Sequence, residues 1–380
     1  MTIEIEALDT LFFRDGKPFE KGDDVWATGI FPPLPSVLYG VLRSAYLAQQ
    51  DIGLEEVEKA TSGLIIKNIA YHVNLKNRDE EHKTERLQFP LPLDLVIEKE
   101  PEPSLAAAEK DEWKRNKSYY ETEFNSFDGA LMDENKTIKY SHLNQLPFVP
   151  QQILGYQKGG EVEGVEHGFI DQSLLEKYLS GESAIEIRKL SELYQFEPKI
   201  GISRSNATRT TSEGNLYRVG MIRTTDVRIV VEFEGLDLAP KGILKIGAEN
   251  KLAVYSDLSE SIAPKIDLDL DRNEFKIYLA TPAFFEQGYY PSKIFEDHNI
   301  EAELLSCVVG KYINVGGFDM VKRAPKEMRK AVPAGSVYHY QLTGDLKPFF
   351  EYIKENGISE FGAKKGEGFG IAYLSNIESL

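Results

Sequence analysis

IFPPLPSVLYGVLRSAYLAQQ, residues 30–50, carries a helix start and a helical apolar period in one stretch. Its prolines end at Pro35, and Ser36 is suited to cap a helix. Apolar residues recur at Val37, Leu38, Val41, Leu42, Ala45 and Tyr46, the spacing of one buried helix face. Upstream, TIEIEAL (2–8) alternates polar and apolar residues like a half-buried strand. Between the two, RDGKPFEKGDD (14–24) holds the turn formers Gly16, Pro18 and Gly22. The chain thus opens as strand, loop and helix.

The same mixture recurs downstream. GLIIKNIAYHVNLK (63–76) is rich in strand formers, whereas EKEPEPSLAAAEKDEWKRNKS (98–118) can bury little and reads as a mobile, polar insertion. A short helix is expected over 171–180. In 196–235, two apolar ends flank SRSNATRTTSEGN, with Gly214 and Asn215 able to turn, which reads as a long protruding hairpin. Further strands are expected over 240–280, including the alternating DLDLD (267–271), and over 303–315, 335–342 and 369–375, with a helix at 345–356. Strands interleaved with single helices give an α+β fold, with helices on one face of small antiparallel sheets. The turn-forming GLDLAPKG puts the domain boundary near 236–241. This gives an N-terminal domain, 1–236, with an insertion over about 77–170 and an arm over about 199–224, and a C-terminal domain, 237–380.

Composition removes several classes of function. The single cysteine, Cys307, can form neither an internal disulfide nor a thiolate metal site. No apolar run approaches the ~20 residues of a membrane span, and the N-terminus lacks a secretory pattern. A soluble, cytoplasmic protein with no membrane partner is expected. Against 44 basic residues stand 61 acidic ones, a net charge of −17, which taken globally argues against nucleic-acid binding. The charge is segregated, however. Residues 199–228 carry six bases and two acids, as do residues 311–330, and GAKKGEGFG (362–370) adds two lysines against one glutamate. Local basic windows in an acidic chain are the pattern of an electrostatic footprint.

Each window has a functional and a plain reading. In the hairpin, Lys199, Arg204, Arg209, Arg218, Arg223 and Arg228, with the hydroxyl and amide groups between Ser203 and Ser212, suit phosphates and sugars; the plain reading is a solvated hairpin. Gly366, Gly368 and Gly370 with Lys364 and Lys365 would let a backbone approach phosphate closely, or simply form a tight connection. Lys322 and Arg323 add charge to the 311–330 window, whose plain reading is likewise a solvated face. None of the six histidines has metal-ligand spacing to another, His339 in VYHYQL is most simply a strand residue, and no hydrolase motif occurs. No cofactor is expected.

Several of these segments together resemble the RAMP superfamily of type III CRISPR effector complexes, and more narrowly subunit three of the type III-B (Cmr) complex. The resemblance rests on FFRDGKPF (12–19), FPPLPSVLYGVLRSAYL (31–47), IGISRSNATRTTSEGNLYRVGMIR (200–223), ATPAFFEQGYYP (280–291), the GGFDM and AVPAGSVY pieces within 316–338, and GAKKGEGFG. Gly247-Ala248-Glu249 departs from the expected Gly-Gly-Glu, so no role is carried onto that loop. The resemblance implies two ferredoxin-like (RRM-like) domains and a non-catalytic subunit. Such a subunit holds the 5′ tag of the crRNA, bends it with the hairpin, and docks the large polymerase/cyclase-type subunit and a backbone RAMP subunit, with target RNA met only indirectly. Carried onto this chain, the resemblance implies that Arg204 and Arg209 bind phosphates and that Ser205, Asn206 and Thr208 reach phosphates, sugars or splayed bases. Arg14 is then a further phosphate candidate or a partner for Asp15 or Asp23, and Lys322 and Arg323 face either RNA or a neighbouring subunit. The resemblance also admits an alternative, a metal-independent crRNA-processing endoribonuclease of the same superfamily.

Overall fold

The computed structural model describes residues 1–14, 26–75, 84–98, 123–125, 162–165, 168–180, 184–189, 193–204, 211–224, 226–319, 322–361 and 366–377. The N-terminal half holds β1 (Thr2–Ala7), β2 (Trp26–Thr28), β3 (Ile65–Leu75), β4 (Thr84–Pro90), β5 (Val96–Glu98), β6 (Glu123–Asn125), β7 (Val162–Gly164) and β8 (Gly168–Asp171). It continues with β9 (Ala184–Lys189), β10 (Tyr194–Arg204), β11 (Thr211–Thr224), β12 (Val227–Glu234), β13 (Lys241–Lys245) and β14 (Leu252–Asp257). Its helices are α1 (Pro35–Gln50), α2 (Val57–Ala60) and α3 (Gln172–Leu179). The fold is α+β, and its sheets are mostly antiparallel; β2 alongside β11 is a parallel pair.

The centre of the first sheet runs β14–β1–β12–β3, then β4 and β8. Ile3 and Ile5 of β1 alternate into the core, as the polar–apolar pattern of 2–8 requires. Leu38, Val41, Leu42 and Ala45 form the buried face of α1. The helix starts two residues earlier than Ser36 capping would give: Leu34 is the N-cap residue, no side chain caps it, and Pro35 occupies the first turn. A proline there lacks only an N–H that has no partner inside the helix anyway. At the start of α3, by contrast, the Asp171 side chain accepts from the Ser173 amide.

The C-terminal half holds β15 (Glu274–Leu279), α4 (Lys293–Asp297), β16 (Glu301–Val308), β17 (Ile313–Val315), β18 (Phe318–Asp319), β19 (Ala324–Pro325), β20 (Arg329–Ala331), β21 (Val337–Thr343), α5 (Leu346–Asn356) and β22 (Ala372–Asn376). Its main sheet is ordered β16–β21–β15–β22, antiparallel throughout.

Four sequence expectations change. β13 and β14 pair onto β1, so the sheets change between Asp257 and Glu274 rather than at 236–241. The reason is that β1 has a second edge to fill, and Ala253 and Tyr255 of β14 are buried there. DLDLD forms no strand: Asn376 hydrogen-bonds the Asp269 amide and carbonyl, and the segment ends in a turn in which the Asp271 amide donates to the Asp269 carboxylate. Within 77–170, β4 and β8 are core strands, with Phe89, Phe169 and Ile170 buried. The apolar alternation around Leu87, Phe89 and Leu91 outweighs the flanking charge, while 99–118 lies outside the described residues. Finally, Gly214 and Asn215 are within β11 and do not turn the hairpin; Arg204 pairs with Thr211, and 205–210 lie outside the described residues.

Candidate nucleic-acid interface

Alternation along β15 divides the C-terminal sheet into two faces. Phe275, Ile277 and Leu279 pack into the same apolar cluster as Phe295 of α4 and Phe349 and Phe350 of α5. Lys276 and Tyr278 point the other way, toward the N-terminal half. There the Tyr278 hydroxyl donates to the Pro90 carbonyl, Tyr373 donates to Asn68 Oδ1 at 2.7 Å, and Phe89 meets Tyr373 edge-on. The register aligns Ser306, His339, Lys276 and Ser375 in one polar row across all four strands.

Opposite this row sits Asp94, which accepts from the Tyr178 hydroxyl at 2.6–2.7 Å. The Lys276 ammonium lies 4.0 Å from Asp94 and 4.2 Å from the centre of the Tyr178 ring. Burial raises the Asp94 carboxyl above its ordinary range, with Lys276 pulling against it. Burial and then the Lys276 charge push the His339 imidazole down to about 3. His339 is 6% exposed, so it is neutral at pH 7 and out of reach of a polynucleotide. This face of the C-terminal sheet is thus covered by the N-terminal half.

Two of the basic windows meet in space. β17 pairs with β20, and β18 with β19, making a short ribbon over 313–331. Its root, Val315 and Ala331, is buried with Phe284 and with Phe369 of the glycine-rich loop, and Leu34 packs alongside. Lys326 Nζ is 3.8 Å from Glu367 in that loop, and the Arg329 guanidinium covers the Phe361 ring at 4.7 Å. Lys322 and Arg323 are exposed at the far end, Arg323 with a φ of 50°.

The glycines themselves do something other than line an open cradle. Gly368 has φ +88°, and a Cβ on it would lie 2.9 Å from Ile66; Gly370 has φ +81°, and its Cβ would lie 2.5 Å from the Ser359 amide nitrogen. Both are buried. The Gly370 N–H donates to the Pro282 carbonyl, and the Gly368 carbonyl accepts from Thr281. Their conformational freedom seats the loop against β3 and the start of α1. Gly366 is half-buried and its carbonyl accepts from the Ile66 amide. Lys364 and Lys365 lie outside the described residues.

The β10–β11 ladder is rooted beside the same prolines. Phe31 contacts Tyr194 at 5.3 Å, and Tyr194 contacts Phe196 at 5.2 Å. FPPLP therefore joins the root of the ladder, at Phe31, to the glycine-rich loop, at Leu34. Arg14 is exposed at this root, where its backbone bridges to Gly29. Arg204 ends β10, while Ser205, Asn206, Thr208 and Arg209 lie outside the described residues. Three bases of this window have acidic partners: Lys199 with Glu249, Arg223 with Glu197, and Arg228 with Glu4. Arg228 is largely buried with Glu4 and His72 and belongs to the fold. Burial opposes the Glu4 charge, but the His72 hydrogen bond and Arg228 outweigh it and hold the carboxyl below its ordinary range.

The Asp94–Tyr178–Lys276 group was not singled out from sequence. Its signal was present: one charge inside LPLDL and one inside FKIYLA, each in an otherwise apolar run.

A family model described as "CRISPR-associated protein (Cas_Cmr3)" matches residues 3–377. No curated protein matches the chain. Among solved structures, the chain is similar at 16% identity and a TM-score of 0.46 to one in "Cryo-EM structure of the Type III-B Cmr-beta bound to cognate target RNA", covering 93% of this chain and 94% of that one. A second, from the same assembly "bound to cognate target RNA and AMPPnP, state 1", is also 16% identical with a TM-score of 0.46, covering 100% of both chains.

Proposed function

The chain belongs to the Cas_Cmr3 family of CRISPR-associated proteins, and from that premise we propose that it is a non-catalytic subunit of a type III-B (Cmr) effector complex that holds the 5′ tag of the crRNA. Its protein partners are the large polymerase/cyclase-type subunit, which it anchors, and a backbone RAMP subunit. The observation that carries the reading is the position of positive charge within a family-matched chain. Net −17 overall, it presents Arg14, Lys322 and Arg323 exposed on loops and ribbons rather than on a sheet face. The β10–β11 ladder acts as the arm, with Arg204 and Arg209 on tag phosphates. The burial of His339 supports a non-catalytic role.

Both halves are read as ferredoxin-like. In the second half, strand–helix–strand–strand–helix–strand with β22–β15–β21–β16 is the fourth–first–third–second order of that fold. In the first half, β14–β1–β12–β3 follows the same order, with β13 where the second helix would stand.

Arg204→Ala with Arg209→Ala in the assembled complex is expected to lower crRNA retention and to reduce the salt slope of binding by about 1.4, since each lost single-strand phosphate contact removes about 0.7. Unchanged retention with an unchanged slope would remove the arm from the interface.

A further inference from the structure

We propose that the ribbon over 313–331 is a second RNA-binding element that stacks an unpaired base on Phe318; this rests on the reading of the protein as a binder of single-stranded crRNA. Phe318 is 54% exposed and Tyr312 50% exposed, although the ribbon root has a buried cluster in which either ring would be better covered. Phe318 sits in the outer ladder, opposite Pro325, preceded by Gly317 at φ +145°. Tyr312 carries the Lys330 ammonium 4.4 Å from its ring centre. Exposed aromatic rings among cations are what a single strand needs, because the bases stack while the backbone is neutralised.

Charge selects the occupant. Lys311, Lys322, Arg323, Lys326, Arg329 and Lys330 face two acids, Asp319 and Glu327. Lys322 is 4.0 Å from Asp319 with its side chain 77% exposed, and Arg329 pairs with Glu327, itself 73% exposed. Such solvated pairs are weak and exchange readily for phosphate oxygens. The ribbon root shares its buried cluster with Phe369 of the glycine-rich loop and with Leu34.

The test uses the purified full chain and a fluorescein-labelled single-stranded RNA of about 12 nucleotides, within the span such sites cover. Phe318→Ala is expected to weaken binding about tenfold, as loss of one stacked base does, with the salt slope and thermal melt unchanged because the ring is exposed. Phe318→Trp keeps wild-type affinity. Lys322→Ala with Arg323→Ala reduces the slope by about 1.4. If Phe318→Ala binds like wild type while Arg204→Ala with Arg209→Ala loses RNA, the ribbon inference falls and the arm stands. The reverse pattern leaves the ribbon and removes the arm. No binding by the wild-type chain overturns both. If Phe318→Ala leaves RNA binding intact but releases a copurifying protein subunit, the ribbon is a protein-docking surface and the inference is overturned.

Discussion

His339 shows how a residue that looks chemical in sequence becomes structural in the fold. VYHYQL puts it on the face of β21 that the N-terminal half covers, and its Nε2 has no hydrogen-bond partner there. With the folded imidazole held to about 3 and the unfolded one near 6.5, the unfolded chain binds the extra proton between those values. Stability contributed by this site is therefore full above about pH 6.5 and falls as pH drops, by about 1.4 kcal/mol per unit. Raised Asp94 has the opposite sign, its contribution falling as pH rises through the carboxylate range. Depressed Glu4 contributes above that range and loses its contribution below it. Between pH 7 and pH 5 the histidine contribution falls. His339→Leu is expected to shrink the loss of Tm over that interval; an equal loss in both proteins would mean that the imidazole protonates in the folded state.

At the level of single elements, α1 and the two ribbons divide the labour. The apolar period of residues 37–46 specifies α1, and Leu42 is fully buried in the main core. Leu42→Ala is expected to cost about 2–5 kcal/mol in denaturant unfolding, without altering the salt slope of RNA binding. A change below about 0.5 kcal/mol, the size of a surface effect, would mean that α1 does not carry the core. Among the described residues, most strands and the three helices longer than one turn and a half were legible in sequence, because alternation and helical spacing are local signals. The start of α1 was misread by two residues, since Ser36 is a good cap and Pro35 a good first residue, and only the backbone decides between them. The reversal of the β10–β11 ladder was misread at Gly214–Asn215, because cross-strand register is not written in turn chemistry alone.

Across the whole molecule, the less legible part was which distant segments share a surface. β13 and β14 carry no mark of belonging to the first sheet; they are claimed by the free edge of β1. The glycine-rich loop and the 313–331 ribbon are separate windows in sequence, yet Phe369, Val315 and Ala331 share one cluster. Burial of Gly368 and Gly370 moved those two residues from an expected phosphate cradle to the packing of the halves, which nothing in GAKKGEGFG announces. The segregation of charge, by contrast, was readable directly, and on the proposed function an acidic remainder would repel stray nucleic acid while local cations retain a chosen strand. Affinity purification of the native chain followed by sequencing of any bound RNA tests this. The expected result is a population of short RNAs sharing a constant 5′ end, recovered together with a large polymerase/cyclase-type subunit. Recovery of the assembled complex with RNA that lacks a common 5′ end, or of the chain with no RNA at all, would contradict it.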